Sequence, residues 1–489
     1  MRYPIYTPNI TSYTTSLTSA IKSGWISSQG EFIDKTRNIL QKTLEVPYVV
    51  LTNNGTSSTH LLYMSLKFKH PELKKIYLPN YVFVAVWNCA LYEYPVEMLS
   101  IMETDSTTLN MREDEEYIMS LEQNAAVVVV HNVGNVVNVP RLKRLRPDLI
   151  FVEDVCEAFM ERYEEQIVGT SSLCAGLSFF ANKMITSGEG GAFYTSDPEL
   201  YAFIYKTCHH GHTIERYVYD TLGYNYRMTN LQAALLYDQL QDLDTIISMK
   251  RNVYDRYVKL FPTETATKGI WMFTVRLKEV LDSKDMYQIL ANYGVDLRPM
   301  FYNVNKHKHL QDLKPPVDTF HHEQIVMLPS SSTLTAFDQV YIAMRVKQYT
   351  SKSLSPLDIF QATPETLSEF ASNSIPSTFR YFKNRTIPDF MESHVLTILG
   401  MIDSKPIGYA HIDVEEKHWI GICILPEFQS KGYGRILMNF VLDYARVTGI
   451  QEVHLTVDLE NVPAYTLYNS LGFTECEKTS NHFLMSKTI

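Results

Sequence analysis

The chain has 489 residues, 45% of them hydrophobic, and 44 Lys plus Arg against 54 Asp plus Glu give it a formal charge of -10. At about 100–200 residues per domain this length holds two or three cores, and the acidic balance argues against a nucleic-acid partner, whose phosphates need a positive footprint. Six cysteines without paired spacing (Cys89, Cys156, Cys174, Cys208, Cys423, Cys476) indicate neither a disulfide framework nor a zinc knuckle, and no signal-peptide pattern or membrane-length apolar run is present, so a cytoplasmic protein is expected.

From Tyr48 onward, short apolar runs (YVVLT, KIYLP, AAVVVVH, DLIFVED, LSFF, GAFYT) alternate with stretches of helical period, which predicts an α/β domain with a mostly parallel sheet. Met228 to Leu260 is a long amphipathic stretch, after which WMFTVRL, DSKDMYQILANYG and VDLRPMF predict a smaller α+β subdomain. The polar Ser/Pro stretch near Tyr349 to Asp358 reads as a break between domains, giving domains over 1–350 and 358–489 and a linker over 351–357. The second domain shows strands at HVLTILGMI, KPIGYAHID and KHWIGICIL, a helix from Gly432 to about Thr448, a strand at EVHLTV and a helix at PAYTLYNSLG.

Three stretches of the first domain carry chemistry. In NNGTSSTHL, Gly55 makes a tight turn and Thr56 and Ser57 open a helix, whose free amides and dipole favour an anion; a Ser/Thr-capped helix accounts for the same residues. In LIFVEDVCEAF, a strand delivers Glu153 and Asp154 to its C-terminal end on opposite faces, with Glu157 just beyond; a solvated acidic loop is the other reading. In SFFANKMITSGEGG, a strand is expected to stop at Lys183 before a turn of three glycines. A buried lysine forms Schiff bases with carbonyls, and a pyridoxal enzyme needs such a lysine, a phosphate cradle and an acid at the pyridinium nitrogen.

These stretches, with SGWISSQGEFI, YLPNYVFVAVWN, HNVGN, GYNYRMTNLQAALLYDQL and LRPMFYNV, resemble the DegT/DnrJ family of pyridoxal-phosphate-dependent nucleotide-sugar aminotransferases over about residues 5 to 350. The resemblance implies a fold-type I aminotransferase with pyridoxal 5'-phosphate. Lys183 would be the Schiff-base lysine and Asp154 the partner of the pyridinium nitrogen, while Thr56, Ser57 and Ser178 would hold the phosphate. It also implies that Phe83 stacks on the ring, that Glu157 lies near the ring substituents, and that Asn225 reaches a phosphate from a neighbouring subunit, hence a homodimer. Because Lys183 is kept where dehydratases of the family have histidine, transamination with L-glutamate as donor is implied. The turn at Arg298 resembles the subset acting at C4 of nucleotide-linked 4-keto-6-deoxy sugars.

In ICILPEFQSKGYGRILMNF, Gln429, Gly432 and Gly434 lie between a strand and an amphipathic helix, where converging amides suit a pyrophosphate or simply a tight turn. Together with NVPAYTLYNSLGF downstream, this stretch resembles the GNAT acyl-CoA N-acetyltransferases over about residues 356 to 489. By that resemblance acetyl-CoA is the cosubstrate. The backbone from Gln429 through Lys431, Gly432, Tyr433 and Gly434 to Arg435 would hold its pyrophosphate, Ile422 and Ile424 would line the pantetheine, Asn461 would contact CoA, and Tyr468 would protonate the leaving thiolate. Glu415, Glu416, His411 and His418 flank the strand expected to face the acceptor, and Glu415 is taken as the base. The histidine-rich stretches CHHGH and NKHKH have no spacing that completes a metal site.

A domain that makes a primary amine joined to one that consumes it implies a bifunctional enzyme producing an N-acetylated amino sugar nucleotide. The alternatives are an acetyltransferase domain acting on an unrelated amine, and a regulatory protein that binds both cofactors without turnover.

Overall fold

The computed structural model describes all residues except 1, 280–282, 318–319, 374, 377–378, 380–386 and 416. Its first half is built on a seven-stranded sheet in the order Tyr48–Thr52, Gly191–Thr195, Ala175–Ser178, Ile150–Asp154, Ala126–Val130, Ile76–Leu78, Leu99–Ile101. All neighbours pair in parallel except Gly191–Thr195, which is antiparallel to both strands beside it. The apolar run at 126–130 is continuous because both faces are covered: Val128 and Val130 pack with Leu61, Leu62 and Trp87, whereas Val127 and Val129 pack with Phe151 and Leu142 on the other side. This is the mixed α/β layer architecture expected from the alternating pattern.

Two expected elements differ. The long amphipathic stretch is two helices, Asn230–Gln241 and Leu243–Leu260, because Asp242 leaves helical geometry at φ -115°, ψ 26°. The strand expected to reach Lys183 ends at Ser178; the chain then folds into a turn in which the Lys183 amide donates to the Phe180 carbonyl at 2.9 Å. A small three-stranded antiparallel sheet follows, Thr274–Arg276, Ile325–Met327 and Arg298–Pro299, with the helices Ser283–Asn292 and Ala336–Thr350.

The C-terminal half has two antiparallel sheets, one of Asp358–Gln361, His394–Ile402, Lys405–Asp413 and Ile420–Ile424, the other of Glu452–Asp458, His482–Thr488 and Thr474–Lys478. Its helix Tyr433–Thr448 packs against Ala336–Thr350 of the preceding half, with Phe337 and Phe440 ring centroids 5.1 Å apart. One hydrophobic core therefore runs through both halves. Only the end of 351–357 is tied into this junction: Arg345, fully buried, donates to the carbonyls of Ser355 at 3.0 Å and Leu357 at 2.8 Å, and Leu357 is itself fully buried, whereas residues 351–353 and 356 are exposed.

Candidate active sites

The first site lies where strand ends meet the N-terminus of the Gly55–Lys69 helix. Asn54 caps that helix by accepting from the Ser57 amide at 2.8 Å, so the amides of Gly55 and Thr56 point out of the helix end without helical partners. Ser178 lies so near this turn that a Cβ on Gly55 would come within 2.6 Å of the Ser178 Cβ and 2.7 Å of its Oγ. Only glycine leaves room for the helix end and the serine to share that space. Thr56 is exposed at its mouth, and Ser57 is buried with its hydroxyl donating to Asn53 Oδ1 at 2.7 Å. Hydroxyls and amides at the positive end of a helix dipole fit a phosphate monoester.

Strand alternation separates the two acids at the end of Ile150–Asp154, as expected. Asp154 faces the helix, accepting from Thr59 Oγ1 at 3.0 Å and from the Cys156 amide at 3.0 Å. Glu153 faces the other way, 2.9 Å from His131 Nε2 and accepting from the Gly169 amide at 2.9 Å. The Val137 amide donates to His131 Nδ1 at 3.1 Å, so the histidine proton sits on Nε2 toward Glu153, and this buried pair braces the sheet away from the cleft. Glu157 accepts from the Val133 amide at 2.7 Å; burial pushes its carboxyl up to about 7 although the nearby Lys183 charge pulls it down.

Lys183 Nζ rests over the indole of Trp271, 4.2 Å from the ring centroid, and Trp271 Nε1 donates to the Asn182 carbonyl at 3.0 Å. Lys183, Glu157, Ser178, Cys156 and Trp271 line one cleft. The lysine amine, the Glu157 carboxyl and the Ser178 hydroxyl thus share one cleft, with Asp154 an electrostatic neighbour of Glu157 and Cys156 and the Gly55 helix end against Ser178, a donor set that fits pyridoxal phosphate. Phe83 is 57% exposed, with its ring 6.2 Å from that of Phe301. The turn that carries Arg298 borders the same region, since Met300 shares a core with Trp271 and Tyr81, while Arg298 itself pairs with Asp296. Asn225 is exposed; its Oδ1 accepts from Arg227 Nε at 3.0 Å and its carbonyl from Asn53 Nδ2 at 3.3 Å. Trp271 and Tyr6, whose hydroxyl donates to the Lys183 carbonyl at 3.1 Å, are site residues that no sequence motif marked, and Thr59 lies in the NNGTSSTHL stretch without having been singled out.

The second site opens between the two C-terminal sheets. The strands Ile420–Ile424 and Glu452–Asp458 share one parallel bridge, Trp419 to His454, and pair no further. Gly432 caps the Tyr433–Thr448 helix with φ 84°. A Cβ on Gly434 would face Leu467 at 3.5 Å, Ile424 at 3.8 Å and Ile422 at 4.0 Å, so this helix end lies beside the half-buried isoleucines. Around the helix end, Gln429 Nε2 donates to the Ile424 carbonyl at 2.9 Å, Lys431 Nζ to the Glu427 carbonyl at 2.8 Å, and Arg435 to Ser470 Oγ at 2.8 Å; Tyr433 is half-buried.

Asn461 caps the Val462–Ser470 helix by accepting from the Ala464 amide at 3.3 Å. Tyr468 is buried, and burial drives its hydroxyl well above the usual phenol range, so it keeps its proton. Of the acceptor-side candidates, Glu415 is exposed in the turn before Ile420, His418 lies in the same turn, and His411 is buried with its ring stacked on His394 at 4.2 Å. Glu416 lies outside the described residues. The CHHGH stretch serves packing: His209 stacks on Tyr205 at 4.1 Å and its Nδ1 donates to the Tyr205 carbonyl at 2.6 Å.

A layered α/β domain that gathers a lysine, buried acids and a helix-end anion cradle, followed by splayed sheets beside a glycine-capped helix, defines a cofactor-dependent group-transfer protein with two sites. Residues 10–347 match the DegT/DnrJ/EryC1/StrS aminotransferase family, and the chain belongs to that family; residues 361–473 match the Acetyltransferase (GNAT) family. The chain is 28% identical over 366 residues to the GDP-perosamine synthase of Escherichia coli O157:H7, covering 72% of this chain and 100% of that protein. It is 27% identical over 295 residues to the UDP-4-amino-4,6-dideoxy-N-acetyl-beta-L-altrosamine transaminase of Campylobacter jejuni, covering 59% and 74%. Among solved structures it is similar to the PLP-form of the sugar aminotransferase Spr1654 from Streptococcus pneumoniae, at TM-score 0.63 and 20% identity, over 73% of this chain and 100% of that one. Pyridoxal phosphate and acetyl-CoA are the cofactors of the two families. Among the described residues no helix is long and apolar enough to cross a membrane.

Proposed function

We propose that the chain is a bifunctional enzyme: it transaminates a nucleotide-linked 4-keto-6-deoxyhexose with L-glutamate as amino donor, then N-acetylates the new 4-amino group with acetyl-CoA. The observation that carries this reading is one chain that joins an aminotransferase-family domain to a GNAT-family domain. Its similarity to a GDP-perosamine synthase and to a UDP-4-amino-4,6-dideoxy-N-acetyl-beta-L-altrosamine transaminase supports the sugar class.

Bound pyridoxal phosphate supplies the electron sink for the donor's α-carbon. Gly55, Thr56, Ser57 and Ser178 hold its phosphate, and Asp154 holds a proton on the ring nitrogen. Lys183 would hold the cofactor, and its Nζ would move a proton to and from the substrate carbon. Glu157, with its carboxyl near neutrality in pKa, sits beside that exchange and bears on the ring substituents. Phe83, exposed here, would pack against the cofactor, and Arg298 would meet the sugar nucleotide. Asn225, exposed on this chain, serves the cofactor phosphate of a second subunit in a homodimer.

In the second site the amides from Gln429 to Arg435 and the side chain of Asn461 hold CoA, and Ile422 and Ile424 place the thioester along their strand. Glu415 takes the proton from the attacking amine. Tyr468, which retains its proton to high pH, gives it to the departing thiolate.

Mass spectrometry of products from a panel of 4-keto-6-deoxy sugar nucleotides, with glutamate and acetyl-CoA, tests the reading. A released amine that stays unacetylated for every sugar would favour an acetyltransferase domain for an unrelated amine. A cofactor absorbance band that no amino donor changes would favour a binding protein without turnover.

A further inference from the structure

The N-terminal segment touches both halves of the molecule within a few residues. The Arg2 guanidinium lies among the rings of Tyr341 (4.5 Å), Phe360 (4.6 Å), Tyr3 (5.0 Å) and Phe337 (5.7 Å), donates to the Ile359 carbonyl at 3.2 Å and faces Asp358 at 3.7 Å. Asp358, Ile359 and Phe360 belong to the first strand of the acetyltransferase domain. Asp358 also accepts from the Tyr341 hydroxyl at 2.6 Å and from Arg345 at 3.2 Å, so the anchor is rigid.

From there the segment is tied at nearly every residue. Tyr3 exchanges backbone bonds with Gly294 (2.7 Å) and Asp296 (2.9 Å), the Ile5 amide donates to Asp296 Oδ2 at 3.1 Å, the Ser330 amide donates to the Ile5 carbonyl at 2.9 Å, and the Thr7 amide donates to Ser331 Oγ at 2.6 Å. Asp296 is the acid that holds Arg298. At Tyr6 the segment reaches the cofactor lysine: its hydroxyl donates to the Lys183 carbonyl at 3.1 Å. Below the Tyr6 ring, 5.0 Å from its centroid, lies Nζ of the buried Lys250, which donates to the carbonyls of Trp271 at 2.6 Å and Ser330 at 2.7 Å. The residue bearing the ring under Lys183 and the residue holding the Lys183 backbone are therefore fixed by one another. Four residues of chain, at most about 14 Å, separate the acetyltransferase anchor from this cluster.

We propose that the acetyltransferase domain is a structural part of the aminotransferase site, acting through the N-terminal segment, with Arg2, Tyr6 and Lys250 as positioning residues for Lys183. The inference rests on Lys183 being the cofactor lysine. None of the three reaches the reacting atoms; each sets where the Lys183 amine stands, and small misplacements of such a group cost about tenfold to a hundredfold in rate.

The test uses the full chain with Arg2→Ala and Tyr6→Phe, singly and together. The cofactor-free proteins are mixed with pyridoxal phosphate, capture is followed by absorbance, and attachment at Lys183 is located by borohydride reduction and peptide mass spectrometry. Capture should slow about tenfold in each single variant. In the glutamate half-reaction kcat should fall about as much with KM for glutamate unchanged, and acetylation of a supplied amine should stay as in wild type. Because both residues act along one path, the double variant should fall no further than the weaker single. Tyr6→Phe deletes one oxygen, so it keeps the test open if Arg2→Ala does not fold. Wild-type rates of capture in Tyr6→Phe, or a lowered melting temperature in Arg2→Ala with wild-type capture and half-reaction, would overturn the inference. No capture at Lys183 in wild type would overturn the transaminase reading, and the inference with it.

Discussion

Gly55→Ala isolates the cofactor cradle from the helix that bears it. In an exposed helix, alanine in place of glycine stabilises by roughly 0.5–1 kcal/mol, because it removes backbone freedom from the unfolded chain. At Gly55 the new Cβ would stand 2.6 Å from the Ser178 Cβ and 2.7 Å from its Oγ, separations that side chains cannot hold. The helix end and the strand must move apart, and overpacking of this kind costs about 1–3 kcal/mol. The clash therefore outweighs the propensity gain, and the melting temperature should fall by a few degrees.

The effect on pyridoxal phosphate should be larger. Separating Ser178 from the Gly55 and Thr56 amides weakens at least one charge-assisted hydrogen bond, worth about 1.5–3 kcal/mol, so affinity should drop about ten- to hundredfold by equilibrium titration. Gly432→Ala is the comparison: its φ is 84° but nothing lies within 4 Å of the added Cβ, so it should cost about 1–2 kcal/mol of local strain without touching pyridoxal phosphate binding. Unchanged cofactor affinity and melting temperature in Gly55→Ala would refute the cradle.

Other substitutions separate the sites. Lys183→Ala should abolish covalent capture of the cofactor and amine formation while leaving acetylation of a supplied amino sugar intact, measured by product mass spectrometry. Tyr468→Phe should slow acetyl transfer about a hundred- to ten-thousandfold in thiol-release assays with amine still formed. Glu157 titrates in the folded protein near 7, above the unfolded value of a glutamate. Its stabilising contribution is therefore complete below about 4.5 and is lost as pH rises to about 7. Glu157→Gln should flatten cofactor-free stability across that window, on the order of 2–3 kcal/mol by denaturant titration. Lys250, held near 7 by burial, is destabilising while charged, so Lys250→Met should remove the gain in stability that wild type shows as pH rises from about 7 to 10.

The parts of the sites written in local pattern were legible. Asp154 faces the Gly55–Lys69 helix and Glu153 the opposite side because residues on a strand alternate, and Gly432 and Asn461 stand at helix starts. Lys183 was placed at the end of a strand because the apolar run continues to Phe180, whereas pairing with Gly191–Thr195 stops at Ser178 and only the partner strand decides that. Trp271, Tyr6 and Lys250 carried no signal. Their roles arise from contacts across long stretches of chain, such as Lys250 to Ser330 and Tyr6 to Lys183, and a tryptophan in an apolar run reads as core wherever it ends up. The polar stretch at 351–357 reads as a tether by composition, yet Arg345 binds its carbonyls and the hydrophobic core continues past it.

The central claim is that one chain makes an amine and acylates it. Full-length protein incubated with a 4-keto-6-deoxy sugar nucleotide, glutamate and acetyl-CoA, with products followed in time by mass spectrometry, measures this directly. The account predicts the acetamido sugar nucleotide as the end product, unreacted ketone with Lys183→Ala, and free amine building up with Tyr468→Phe. Free amine accumulating in the wild-type reaction while acetyl-CoA remains unused would contradict it.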